Sequence, residues 1–280
     1  MLLAFSETKS DYGRYLYPYV VWALPEAGET PADFFRRGFL PASPLLDRFY
    51  LCRNIRVDLA RFKPSSENRR ILRKGQGIEV ALTPRSEFDY SPARREHWKR
   101  YADERFGNDI MSFDRLDRLM SSPVISHLLC FREQATGREL GTALMYIQAP
   151  DVAYYYYAFY DLELLKENLG MYMMTRCVAH FAERGFAHVH LGTCYSRRAL
   201  YKAQFAGVEF MNGYTWSSNV DELKFLVRRE EEGNTTVHLF DNPDYLAGFL
   251  HGDRAHLAGS GGHFRLAPGA TGACEPRPLV

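Results

Sequence analysis

The chain has 280 residues, 46% of them hydrophobic and 25% charged, with a formal net charge of +1. This balance describes one large or two small globular domains and excludes a fibrous or disordered chain over most of the length. With a charge near zero there is no global attraction for nucleic acid, so a polyanion has to be met by a local patch, and DNA is not an expected partner. No run approaches about 18 consecutive apolar residues, and MLLAFSETKSDYGRY has neither a charged leader nor the apolar segment of a signal peptide. The expectation is a cytoplasmic protein without membrane contact. Cys52, Cys130, Cys177, Cys194 and Cys274 are odd in number and never form a C-x-x-C pair, which argues against a disulfide framework or an all-cysteine metal site. Each reads as a small buried apolar residue.

In the opening third, Pro18, Pro25, Pro31, Pro41 and Pro44 limit regular elements to short pieces. TPADFFRRGF predicts a short helix with Thr30 as N-cap, Pro31 at its first position and Gly38 beyond its end. NIRVDLARF alternates Ile55, Val57 and Leu59 with polar residues, a half-buried strand. SSENRRILRKG is a capped helix ending at Gly75, and GIEVALT another strand. From residue 91 the pattern turns regular: a charged helix from Ser91 to Gly107, a second in FDRLDRLMSS, then three strands, VISHLLCFRE, ELGTALMYIQ and VAYYYYAFYD, joined by short turns into an antiparallel meander. The four tyrosines at 154–157 read as a sheet with aromatic faces. GMYMMTRCVAHFAERG is a helix bounded by Gly170 and Gly185, AHVHLG a buried strand, SRRALYKAQFAG a further helix, and Asn212-Gly213 a hairpin signal. His188 and His190 share one strand face with no third ligand nearby, so no metal site is expected. The Gly- and Pro-rich end reads as a loose tail.

This order of elements resembles the Gcn5-related N-acyltransferase fold. The fold class expected is therefore α+β: a mixed sheet with flanking helices over residues 86–255, preceded by a smaller α+β segment over residues 1–85 that carries the basic strand and helix, and followed by a flexible tail over residues 256–280. Two stretches narrow the likeness. RNIRVDLARFKPSSENRRILRKG is similar to the F-x-P-S-x-x-x-R-R block of the arginyl-tRNA-protein transferases and their bacterial leucyl relatives, carried here by Phe62, Pro64, Ser65, Arg69 and Arg70. FYDLELLKENLGMYMM and AHVHLGTCYSRRALYKAQFAGVE resemble that family's Y-D, L-G-x-Y, Y-L-G and Y-K-A-x-F signatures, at Tyr160 and Asp161, Leu169, Gly170 and Tyr172, Leu191 and Gly192, and Tyr201, Lys202, Ala203 and Phe205. YGRYLYPYVVW and FFRRGFLPA sit where the family has its opening blocks. The resemblance implies transfer of an amino acid, arginine or leucine, from aminoacyl-tRNA to a protein N-terminus, with an acidic acceptor residue; the family's paired cysteines are associated with a metal or an iron-sulfur cluster, and without them no cofactor is expected in this chain. One departure is the family's paired cysteines, of which only Cys52 remains; Tyr12 stands where a partner is expected, and a four-thiolate site cannot be built.

The turn ENLGMY lies where acyl-CoA enzymes carry a glycine-rich loop at a helix N-terminus. Aligned on Gly170, Glu167 replaces the basic residue and Tyr172 the second small one, which repels a diphosphate and blocks close approach. A charged tRNA end, with Tyr172 as a stacking face, suits the turn better. Arg53, Arg56, Arg61, Lys63, Arg69, Arg70, Arg73 and Lys74 against Asp58 and Glu67 give a local excess suited to phosphates; Arg69 and Arg70 serve equally as readers of an acidic acceptor residue. Asp161, ending the central strand, is the candidate to hold the attacking amine or take its proton, with Tyr160 beside it and Tyr201 near the leaving group. Gly170, Tyr172, Gly192, Lys202 and Phe205 complete the expected donor site. An acyl-CoA-dependent N-acyltransferase and a catalytically silent tRNA- or peptide-binding relative are the alternative readings.

Overall fold

The computed structural model describes residues 1–7, 19–108, 110–233 and 237–253. Tyr12, Cys274, the side chain of Glu167 and the tail expected at 256–280 lie outside the described residues.

Proline spacing breaks the opening segment into short elements. β1 (Leu2–Glu7) and β2 (Tyr19–Leu24) pair antiparallel, and after α1 (Pro31–Arg36) come β3 (Phe39–Pro41) and β4 (Phe49–Leu51), in the sheet order β1-β2-β4-β3. The Asp33 carboxylate accepts from both the N–H and the hydroxyl of Thr30 at 2.9 Å, fixing the start of α1. Successive residues on a helix project about 100° apart, and α1 uses this to join two layers. Phe34 stacks on Phe49 of the small sheet at 4.1 Å, while Phe35 packs against Tyr146, Tyr154 and His190 of the main sheet at 5.8, 5.2 and 4.9 Å.

The main sheet holds β5 (Asn54–Asp58), β6 (Ile78–Pro84), β7 (His127–Glu133), β8 (Glu139–Gln148), β9 (Val152–Tyr160), β10 (His188–Thr193), β11 (Val208–Met211) and β12 (Trp216–Ser217), in the order β12-β11-β5-β10-β9-β8-β7-β6. β7, β8 and β9 form the expected antiparallel meander. β9 and β10 are parallel, joined through α5 (Leu169–Ala182), because a parallel neighbour has to be reached by a crossover. Strands on both sides of residue 85 share this sheet: β6 forms one edge, and β5 lies between β10 and β11, antiparallel to both. Between β5 and β6 runs α2 (Ser66–Lys74), whose capping box is closed by Ser65 and Asn68 at 3.1 Å in each direction.

α3 (Pro92–Phe106) lays Trp98 flat on Phe159 at 4.7 Å, α4 (Phe113–Ser121) buries Leu116 and Leu119 beside it, and α6 (Val220–Glu231) and α7 (Pro243–Phe249) close the far end. There Glu222, buried, accepts from Asn212 Nδ2 at 3.0 Å, Ser217 Oγ at 2.6 Å and the Tyr245 hydroxyl at 2.5 Å, and so ties the β11–β12 hairpin to both helices. The hairpin turns over residues 212–215, with Asn212 Oδ1 accepting from the N–H groups of Tyr214 and Thr215. The helix expected in SRRALYKAQFAG forms as a 3-10 helix (Arg197–Gln204); Leu200 and Ala203, which pack on the core, stand one three-residue turn apart. Cys52, Cys130, Cys177 and Cys194 are buried free thiols, as expected, and burial pushes Cys52 up to about 12. No helix among the described residues is long and apolar enough to cross a membrane.

Candidate active-site cleft

The sheet opens between its two parallel strands. β9 and β10 pair only where Val152, Ala153 and Tyr154 face His188, Val189 and His190. Beyond that point β9 runs on to Tyr160 against β8, while β10 bulges at Gly192, whose φ of 79° favours glycine, and continues against β5. The strands part and leave a cleft of about 510 Å³.

Its walls come from five elements. β9 contributes Tyr155, Tyr156, Tyr157, Ala158 and Tyr160, and β10 contributes Leu191. The start of α5 adds Asn168, Gly170, Met171 and Met174; the last turns of α3 add Tyr101, Arg105 and Phe106; the 3-10 helix adds Tyr201 and Lys202. The lining thus holds many aromatic rings and two cations, and no carboxylate among the described residues. Lys202 donates from Nζ to the Thr193 carbonyl at 2.9 Å, and burial holds it below the ordinary lysine value. A Cβ on Gly192 would stand 3.7 Å from Nζ, an ordinary contact, so it is the positive φ and not space that calls for glycine there. Gly170 is required by contact: a Cβ on it would meet the Tyr160 hydroxyl at 2.8 Å, so the start of α5 and Tyr160 can close together only without a side chain. Tyr160 in turn meets the Tyr101 ring edge-on at 4.8 Å.

Of the residues expected from sequence, Tyr160, Gly170, Tyr201 and Lys202 are thus brought together, with Gly192 beside them. Four others lie elsewhere. Asp161 does not line the cleft; its carboxylate is ion-paired with Arg138 and accepts from the Glu163 N–H at 3.0 Å, and it borders a neighbouring hollow with Arg94, His97 and Glu139. Phe205 is buried in the core against Phe62. Arg69 and Arg70 stand on the exposed face of α2, Arg69 donating to the Pro64 carbonyl and Arg70 paired with Glu67.

Tyr172 corrects an expectation. Its ring neither blocks the turn nor offers a stacking face: it is 6% exposed, runs back under α2, and its hydroxyl reaches the Gly75 carbonyl at 3.4 Å. Two residues along the helix separate Gly170 from Tyr172 by about 200°, which turns the tyrosine away from the cleft.

The basic excess read from the sequence is also reduced by partners from distant segments. Arg53 pairs with Glu230 and Arg56 with Glu209, each at 2.7 Å, and Arg61 with Asp58 and Glu209. Arg56 is buried with its guanidinium 3.8 Å over the Trp216 ring. Lys63, Arg69, Arg73 and Lys74 remain exposed. Sequence reasoning missed Arg105 and Tyr101; their i, i+4 spacing just before the Gly107 terminator puts them on one helix face, and that was the available signal.

The acetyltransferase (GNAT) domain family matches residues 65–203. An aspartate/glutamate leucyltransferase of Sphingopyxis alaskensis is 30% identical over 174 residues, 59% of this chain and 67% of that protein. The chain belongs to the aspartate/glutamate leucyltransferase family. The leucyltransferase of Ruegeria pomeroyi is 26% identical over 177 residues, and the match spans 61% of this chain and 63% of that protein's length. Among solved structures, a GCN5-related N-acetyltransferase from Sphaerobacter thermophilus aligns at 16% identity with a TM-score of 0.34, over 69% of this chain and 56% of that one. In this leucyltransferase-family chain the GNAT match runs from the cap of α2 through the 3-10 helix that carries Lys202, and so contains every wall of the cleft.

Proposed function

We propose that the chain transfers leucine from leucyl-tRNA to the N-terminal α-amine of proteins that begin with aspartate or glutamate. The observation that carries this reading is the composition of the cleft: aromatic rings, phenolic hydroxyls, the N-terminus of α5 and Lys202, with no described carboxylate to repel a polyanionic donor. The first turn of α5 and Lys202 suit the terminal phosphate of the tRNA, and the tyrosine faces of β9 suit its last base. The exposed cations Lys63, Arg69, Arg73 and Lys74 would meet the acceptor-stem phosphates further out.

The reaction needs little covalent help. The amine nitrogen attacks the ester carbonyl carbon, the C–N bond forms, the bond from that carbon to the ribose oxygen breaks, and one proton passes from the nitrogen to that oxygen. An α-amine titrates at about 7.7–8.0, so a useful fraction is neutral near pH 7.5 and no strong base has to be built. Tyr201, protonated at that pH and about half exposed at the cleft, gives its proton to the leaving oxygen and recovers one from the amine. The Tyr160 hydroxyl, held by contacts with Gly170 and Tyr101, donates to the carbonyl oxygen as charge develops on it. Asp161 with Arg138 steadies the turn leading into α5.

The test is transfer of labelled leucine or arginine from separately charged tRNA, or of labelled acetyl from acetyl-CoA, to peptides that begin with Asp, Glu or Lys. Labelling of the acidic peptides from leucyl-tRNA is expected; labelling from acetyl-CoA alone refutes the reading, and arginine as the preferred donor corrects it.

A further inference from the structure

The cations of α3 are not equivalent. Arg94 pairs with Asp89 and Glu139, Arg95 with Asp117, and Lys99 with Asp103. Arg105, on the same helix, forms no ion pair with any described residue and lines the cleft, whereas Arg100, which also forms none, lies outside it. Arg105 is exposed at the mouth, in the last turn before Gly107 ends the helix. On one side of it Phe106 meets Tyr101 and Tyr157 at 5.9 and 6.3 Å, and Arg115 hydrogen-bonds the Tyr157 hydroxyl at 3.4 Å. Lys202, the other cation of the lining, is committed to the Thr193 carbonyl and sits in the wall formed with β10.

A substrate that must be held with its α-amine at the scissile ester and its side chain at the mouth therefore meets there a guanidinium that has the Tyr101 hydroxyl beside it and no carboxylate partner among the described residues. We propose that Arg105 is the specificity-determining residue for the acceptor, pairing through its planar fork with the side-chain carboxylate of an N-terminal aspartate or glutamate. The proposal rests on the leucyl-transfer reading above. Guanidinium suits a carboxylate better than ammonium does, because two parallel N–H groups match its two oxygens. The Tyr101 hydroxyl beside Arg105 restricts the side chain's swing, which lowers the entropy lost on pairing.

The experiment is steady-state kinetics of leucyl transfer by the parent protein, Arg105→Gln, Arg105→Lys and Arg100→Gln, varying an N-terminal Asp peptide and leucyl-tRNA in turn. Losing a charge-assisted pair raises KM for the peptide about 10- to 100-fold in Arg105→Gln, with KM for leucyl-tRNA unchanged. Arg105→Lys recovers part of the loss, and Arg100→Gln matches the parent. A rise in KM for leucyl-tRNA with the peptide KM unchanged, or no change in either, overturns the assignment. Absence of leucyl transfer by the parent protein overturns both this assignment and the reading on which it rests.

Discussion

Replacing Gly75 with alanine tests the placement of Tyr172 most sharply. Gly75 closes α2 with φ −89° and ψ 16°, a conformation any residue adopts, so the substitution adds no backbone strain. Its Cβ would, however, lie 1.8 Å from Tyr172 Cε2 and 2.1 Å from Cζ, inside the ring's own volume. The ring is 6% exposed and backed by Phe131 at 6.1 Å, so on that side it has no room to move. It has to leave its place or push α2 from α5. Losing a buried aromatic side chain costs about 3–5 kcal/mol, and alanine returns about 0.4–1 kcal/mol by restricting the unfolded chain. Gly75→Ala is therefore expected to destabilise by about 2–4 kcal/mol, read from urea denaturation. In a Tyr172→Ala background the same change is expected to cost little, giving a coupling of about 2–3 kcal/mol. If Gly75→Ala costs as much with the ring absent as with it present, the buried wedge is not the reason, and a surface-facing tyrosine at the turn regains its case.

Three further outcomes follow from the site. Lys202→Met should lower kcat/KM for leucyl-tRNA by about 10- to 100-fold with folding retained by circular dichroism, and equal kinetics would remove Lys202 from the donor site. Asp161→Asn should change stability by less than about 1 kcal/mol, because Arg138 is 53% exposed and the pair is screened, and should leave most transfer activity; loss of turnover with a normal fold would return Asp161 to the role of amine acceptor. Burial lowers His180 and His188 to about 4 and His190 well below its usual value, so the folded state holds fewer protons than the unfolded chain below pH 6.5. Stability should then be full above pH 6.5 and fall by about 1.4 kcal/mol per pH unit for each such histidine as the pH drops toward 4, and urea midpoints flat between pH 6.5 and 5 would contradict it.

The frame of the cleft was readable because it depends on local pattern. VAYYYYAFYD is bounded by turns, GMYMMTRCVAHFAERG has caps and helical period, and AHVHLG follows as a short apolar run, so β9, α5 and β10 were each legible, with Tyr160 and Gly170 at the turn between the first two. Charge was harder to place. Arg53 and Arg56 counted toward an excess suited to phosphates because their partners, Glu230 and Glu209, come from segments that only the folded sheet brings near. Tyr172 carries a recognisable signature, yet its direction depends on where α2 packs against α5, which no period in the sequence states. Asp161 ends the right strand but is claimed by Arg138 across the β7–β8 turn.

β5 carries a further consequence. β10 and β11 are close in sequence, separated only by the 3-10 helix and its flanks, yet they are never neighbours, because the strand at 54–58 is wedged between them. High contact order of this kind slows folding. During synthesis β5 leaves the ribosome long before either partner exists, and its Ile55 and Val57, fully buried in the end, have nothing to pack on. That interval falls on a strand bracketed by Arg53, Arg56 and Arg61, charges of the kind that keep an unpaired strand from joining another copy of itself.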